Sequence, residues 1–160
     1  MRPDLFWIPG PRRGKLAVVT RPRGGDWRDA GLDAVVSLLE NDEAAQLGLD
    51  HEHNMTESKG LQFFSFAIPD RGVPASTGDA LEFLTQLTSV LGAGKNVAVH
   101  CRQGIGRSGM LAAALLMTSG VTANEAVDIV TKARGIAVPE TSRQLEWLQD
   151  FSSECLLLAS

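Results

Sequence analysis

The stretch Val97-Ala98-Val99-His100-Cys101-Arg102-Gln103-Gly104-Ile105-Gly106-Arg107-Ser108-Gly109 decides how this chain is read. A short β-branched apolar run, a glycine-bearing loop and a helix start follow one another without interruption. One cysteine enters the loop and one arginine leaves it, with five residues between them. That spacing lets the backbone N–H groups of Arg102, Gln103, Gly104, Ile105 and Gly106 curl inward around a tetrahedral oxyanion. The following helix adds the positive end of its dipole. Gly104, Gly106 and Gly109 are expected to supply backbone conformations that residues with a Cβ adopt at a cost. Arg107 offers a planar fork of donors that fits two oxygens of one phosphate.

A thiol in such a cradle changes character. A free cysteine titrates at about 8.5, and helix N-termini and neighbouring cations can bring it to roughly 3.5–7.5. Cys101 is therefore expected to be a thiolate at neutral pH, a nucleophile held beneath an electrophilic phosphorus. Taken alone, a cysteine is more often a small buried core residue; strand, glycines, arginine and hydroxyl in this order reverse that reading. His100 either fixes the loop through its imidazole or packs at the strand end, and the sequence leaves both open. Ser108 is well suited to cap the helix.

Thirty-one residues before Cys101, a strand-like Phe63-Phe64-Ser65-Phe66-Ala67-Ile68 delivers Pro69-Asp70-Arg71-Gly72. An aspartate between proline and glycine is ordinarily a turn residue. Beside a thiolate nucleophile it is also a candidate proton donor to a leaving alkoxide or phenoxide, and afterwards a base for water. Phosphoryl transfer needs positioning and charge neutralisation more than covalent chemistry. The loop amides with Arg107 would form such a clamp, and a Cys101 thiolate would split hydrolysis into two steps through a phosphocysteine.

These residues resemble the signature His-Cys-(five residues)-Arg-Ser/Thr of the cysteine-dependent protein tyrosine phosphatases, in particular the dual-specificity branch and its compact bacterial-like and kinase-associated members. Ile68-Pro69-Asp70-Arg71-Gly72-Val73-Pro74 is similar to the general-acid segment of that family. Ala133-Arg134-Gly135, Val138-Pro139-Glu140-Thr141 and Gln144 resemble its C-terminal helical region. The resemblance implies that Ser108 assists departure of the thiolate and that Gln144 lies near the catalytic water; read from helix position alone, Gln144 is polar surface. It implies a dual-specificity phosphatase acting on phosphotyrosine and phosphoserine/threonine in a phosphorylated protein or peptide, with no cofactor and no metal. The alternatives are a phosphatase of a lipid, nucleotide or RNA end, a non-catalytic phosphate-binding module, and a sulfurtransferase. The two lysines common in the loop of the family's phosphoinositide phosphatases are absent here.

Composition bounds the rest. A chain of 160 residues can close one core, burying roughly 70% of its extended surface, so residues 1–160 are expected to form a single catalytic domain. The net charge of −4 argues against general nucleic-acid binding. No stretch approaches the ~20 apolar residues of a membrane span, and the first ten residues lack the apolar core of a secretory signal. Two distant cysteines, one of them a thiolate, point to a reducing compartment, the cytoplasm, and a monomer is expected. Arg12, Arg13, Lys15, Arg21, Arg23 and Arg28 either flank the active site or form a solvated loop. Glu40, Asp42, Glu43, Asp50, Glu52 and Glu57 form an acidic stretch, and the polar segment around His51 and His53 is expected to be solvated, since two residues of separation do not share a helix face.

Alternating patterns predict strands over Leu16–Thr20, Ala34–Leu38, Leu61–Ile68 and Val97–Val99. Helices are predicted over Thr77–Leu91, Arg107–Ser119, Ala123–Lys132 and Thr141–Leu158, with short helices or loop at Asp42–Leu47 and His51–Lys59. This is the order of an α/β protein. A central, mostly parallel twisted sheet of four to five strands should carry helices on both faces, with the site at the carboxyl end of a strand.

Overall fold

The computed structural model describes residues 5–19, 30–49, 51–102 and 105–159, without the side chains of 53 and 154–159. Its strands are β1 (Leu5–Ile8), β2 (Leu16–Val19), β3 (Ala34–Ser37), β4 (Gln62–Ser65) and β5 (Val97–His100). The helices are α1 (Asn41–Gln46), α2 (Glu52–Ser58), α3 (Thr77–Gly92), α4 (Arg107–Met117), α5 (Ala123–Arg134) and α6 (Ser142–Ala159). The sheet runs β1-β2-β5-β3-β4, parallel except for β1, which pairs antiparallel with β2. Strand β1 was not expected from sequence: its four residues, in the short stretch between Pro3 and Pro9, give too short a pattern to read. The β4 strand is shorter than the apolar run suggested, because Phe66 and Ile68 continue as single hydrogen bonds to Ser37 and Leu38 rather than as a ladder.

Strands β2, β3 and β5 are buried along their whole length, as parallel strands covered on both faces must be. Alternation then sorts their side chains. Leu16, Val18, Ala34, Val36, Val97 and Val99 join the large core beneath α3, α4, α5 and α6. Val19, Val35 and Ala98 face the other way, into a smaller cluster with Leu32 and Leu61. His100 has the parity of Ala98, which turns its ring toward the α2 side of the sheet.

Helix α4 is buried over all eleven of its residues, the mark of a helix enclosed by protein on every side. It starts where β5 ends, so its N-terminus backs the Cys101–Gly106 loop. Among the described residues no helix is long and apolar enough to cross a membrane. Trp147 packs against the large core and stacks on Phe151, with 4.9 Å between ring centres. Trp27 lies outside the described residues.

Neither Gly106 nor Gly109 needs unusual backbone angles, contrary to expectation; both have negative φ. What they need is room. A Cβ on Gly109 would sit 2.8 Å from Val138 Cβ, and one on Gly106 would sit 3.1 Å from Gln144 Oε1 and Glu140 Oε2. Gly109→Ala should therefore destabilise the fold by about 1–3 kcal/mol through overpacking. In urea unfolding, adding Val138→Ala should cost less in that background than alone. A neutral Gly109→Ala would contradict this packing.

Candidate active site

The residues singled out in the sequence converge on one cleft of about 220 Å³, lined by Asp70, Arg71, Cys101, Arg102, Gly106, Arg107 and Glu140. It opens at the carboxyl ends of β5 and β3, the expected place in an open α/β sheet. Cys101 is buried and unpaired as a thiol. Ile105 is half-buried against the core. Gln103 and Gly104 lie outside the described residues, as do Arg21, Arg23 and Arg28.

Arg107 is the most constrained side chain of the site. Its guanidinium is 2% exposed, and its two terminal nitrogens form a fork on a single carboxylate: Nη1 donates to Glu43 Oε1 at 2.6 Å and Nη2 to Glu43 Oε2 at 2.8 Å. Nη1 also donates to the Ile68 carbonyl at 2.8 Å and approaches the Leu38 carbonyl at 3.5 Å. Nη2 meets Asp70 Oδ1 at 3.3 Å. The side of the guanidinium formed by Nε and Nη2 faces away from Glu43, and that pair of donors has the span of two phosphate oxygens.

Charge follows from this geometry. Burial alone would lower the Arg107 titration; its hydrogen bonds to Glu43, together with the charges of Cys101, Glu43 and Asp70, outweigh it and hold the value above normal. Glu43 is held below the usual carboxylate range, chiefly by the hydrogen bond from Arg107 and against the opposing effect of its own desolvation.

Glu43 is a residue of this cluster that the sequence reading missed, having been counted with the acidic stretch. It occupies the third position of α1, where its Oε1 also accepts from the Glu40 N–H in a capping box. The signal available was Glu40-Asn41-Asp42-Glu43, a helix start directly after the apolar β3. A second correction concerns Glu52, expected to be solvated. It is buried at the start of α2, and its Oε2 lies 2.6 Å from His100 Nε2. His100 is 1% exposed, with Nδ1 3.4 Å from the Cys101 carbonyl oxygen. His100 is thus packed at the strand end, with its Nδ1 beside the first carbonyl of the loop.

Gln144 is fully buried, not surface. Its Oε1 accepts from the Glu140 and Thr141 N–H groups, and its Nε2 donates to the Gly72 carbonyl at 3.0 Å. It ties the entry of α6 to the segment bearing Asp70. Within that segment the Gly72 N–H closes a turn onto Pro69 O at 2.8 Å, and Arg71 takes the left-handed position at φ +60°. Arg71 pairs with Glu140 at 2.6 Å across the cleft mouth. Arg102 is half-exposed there and donates to Gln46 Oε1 at 3.2 Å. Ser108 Oγ is buried beneath the loop with no hydrogen-bond partner. Arg12, Arg13 and Lys15 do not flank this site. They line another cleft with Trp7, Leu91 and Leu115, and Arg12 reaches the Leu115 carbonyl and Thr118 Oγ1. That is the opposite end of α4, about 12 Å along the helix axis from Arg107.

The family model described as dual specificity phosphatase, catalytic domain, matches residues 31–154. The chain belongs to this family. The dual specificity phosphatase domain thus spans β3 to α6 and includes every site residue named above. Among curated relatives, cyclin-dependent kinase inhibitor 3 of Rattus norvegicus is 25% identical over 126 residues; that match covers 78% of this chain and 59% of the relative, so the chain spans under two thirds of that protein. The structure of Tk-PTP in the active form superposes with a TM-score of 0.81 at 31% identity, covering 96% of this chain and 99% of the other. Kinase associated phosphatase shares the fold at a TM-score of 0.84 and 18% identity, covering 98% and 97%. The chain has the five-stranded sheet and the helices shared by these structures.

Replacing Glu43 by Gln strips a buried guanidinium of its counter-charge and should cost about 3 kcal/mol in stability. The pH dependence carries a further signature. Because the folded-state titration of Glu43 is depressed, its stabilisation is complete above the unfolded carboxylate value and is lost as pH falls through the folded one. Stability measured across the acid range should therefore fall less steeply in Glu43→Gln than in the wild type. Parallel acid limbs would contradict the assignment.

Proposed function

We propose that this chain is a dual-specificity protein phosphatase that hydrolyses phosphotyrosine and phosphoserine/threonine in proteins or peptides through a phosphocysteine. The observation that carries this reading is the meeting of Cys101, Arg107 and Asp70 in one small cleft at the head of α4. In the proposed sequence the Cys101 thiolate attacks phosphorus while Arg107 and the loop amides, Arg102 to Gly106, hold the equatorial oxygens. Asp70 gives its proton to the departing oxygen, then takes one from the water that attacks the phosphocysteine. Ser108 Oγ, unpartnered in the buried layer below, is available to donate to the sulfur as it leaves. Gln144 and His100 are supporting residues that hold the acid segment and the loop.

The same reading makes residues 1–160 one catalytic domain, working as a monomer without cofactor or metal. A thiolate nucleophile favours the reducing cytoplasm.

Hydrolysis of an aryl phosphate from pH 5 to 8 tests the assignment. Cys101→Ser should abolish turnover. Asp70→Asn should lower kcat by about 10²-fold or more and remove the basic limb of the pH profile. An inert wild type, or a Cys101→Ser variant that still turns over, would contradict it; sulfur transfer from thiosulfate would replace it with another chemistry.

A further inference from the structure

The second cleft, at the far end of α4 from the phosphate loop, has a volume of about 410 Å³. It is lined by the turn between β1 and β2 and by the last turns of α3 and α4. Ile8, Leu91 and Leu115 contribute to a mostly apolar lining, yet each is no more than 5% exposed, so they are set back from the surface. Three cations, Arg12, Arg13 and Lys15, share that lining, and among the described residues no carboxylate does.

Arg12 is partly committed to the fold. Its Nη1 donates to the Leu115 carbonyl and its Nη2 to Thr118 Oγ1, at 3.4 Å and 2.7 Å, which sets its charge at the carboxyl end of α4, where a cation is favoured. Burial holds that guanidinium below its ordinary titration value, and no carboxylate offsets the effect. Arg13 and Lys15 are exposed, and neither has an ion pair among the described residues. The catalytic cleft shows the opposite pattern: Arg71 is matched by Glu140, and Arg102 and Arg107 by Glu43. In a chain of net charge −4, three unmatched cations beside an apolar recess form a local positive field.

Charge and shape together select the occupant. A recess of this size can take an apolar side chain whole, and the cations around it complement carboxylates on either side of that chain. A bilayer is engaged by apolar groups that reach out into it; these are recessed, so the occupant must insert a side chain of its own. The catalytic cleft, at about 220 Å³, has room for little beyond a phosphorylated side chain, which leaves recognition of the surrounding protein to other surfaces. We propose that the second cleft docks an acidic segment of a phosphoprotein substrate, with an apolar side chain entering between Ile8, Leu91 and Leu115 and flanking carboxylates meeting Arg13 and Lys15. This rests on the phosphatase reading only in calling the partner a substrate. Because the contact lies away from the reacting atoms, it acts on KM and leaves kcat unchanged.

The first test is binding of a fluorescein-labelled nonapeptide of aspartate and glutamate around a central Leu-Phe pair, followed by anisotropy at about 0.15 M salt. Binding should be saturable. It should weaken about tenfold or more in the Arg13→Glu, Lys15→Glu double variant, and similarly when Gly-Gly replaces Leu-Phe. Both substituted residues are exposed and lie outside the catalytic machinery, so the variant's thermal melt and aryl phosphate hydrolysis should match the wild type. The second test joins phosphotyrosine to the same nonapeptide through about 24 Gly/Ser residues, an r.m.s. span of about 27 Å. Its KM should be about tenfold lower than that of the phosphotyrosine-linker peptide alone, at equal kcat, and the double variant should lose the difference. Absent binding, binding indifferent to the double substitution or to the Leu-Phe pair, or an unchanged KM would each overturn the proposal. So would pelleting with phosphatidylserine vesicles, or self-association in sedimentation velocity, that the same double substitution abolishes; these would give the cleft to a membrane or to a second copy of this chain. Peptide binding requires no turnover, so a docked peptide on an inert protein would sink only the phosphatase reading, and an active protein that leaves the peptide free only this one.

Discussion

The bidentate contact between Arg107 and Glu43 is the constraint on which the site depends. A guanidinium cannot shed its charge in a protein, so an arginine at this depth must be matched by an anion and by acceptors for its remaining hydrogens. Here one carboxylate takes the outer fork, and two backbone carbonyls, Ile68 O and Leu38 O, are gathered on Nη1. Those two carbonyls sit just past the ends of β4 and β3. The arginine at the head of α4 thus ties together the ends of β3 and β4, and the chain leaving β4 is the segment that carries Asp70. One residue thus contacts both the acidic helix α1 and the turn that bears Asp70.

The rest of the architecture serves the same loop. Parallel strands β2, β5 and β3 put their carboxyl ends side by side, α4 lies enclosed behind them, and Gln144 links α6 to the Asp70 turn. The cleft is small and polar because its walls are chains of hydrogen bonds and ion pairs, not apolar side chains. Arg71–Glu140 and Arg102–Gln46 stand at its mouth.

Much of this was legible beforehand for definable reasons. The loop could be read because its chemistry demands fixed spacing in consecutive residues: a nucleophile, glycines, a fork of donors. The long helices α3 to α6 could be read from 3.6-residue periodicity, and β5 from a β-branched run before a glycine loop. Asp70 could be read from its strand and turn. What escaped were contacts between residues far apart in sequence. Glu43 and Glu52 lie 64 and 48 residues from their partners, and an acidic run carries no periodic sign that two of its members point inward. Gln144 failed similarly: a polar residue on a helix is surface by default, and only the approach of the Gly72 carbonyl and the Glu140 and Thr141 amides makes burial affordable. Gly106 and Gly109 were chosen correctly for the wrong reason, since the sequence cannot show that Gln144 and Val138 come within a methyl group's reach.

The account's central claim is that Arg107 keeps its outer fork on Glu43 and offers Nε and Nη2 to the substrate phosphoryl group. A crystal structure with tungstate in the cleft tests it most directly. The expected result is an oxyanion within hydrogen-bond distance of Arg107 Nε, Nη2 and the loop amides, with both Glu43 contacts intact and Asp70 released from Nη2. An oxyanion that displaces Glu43 from the guanidinium, or that binds away from Cys101, would contradict it.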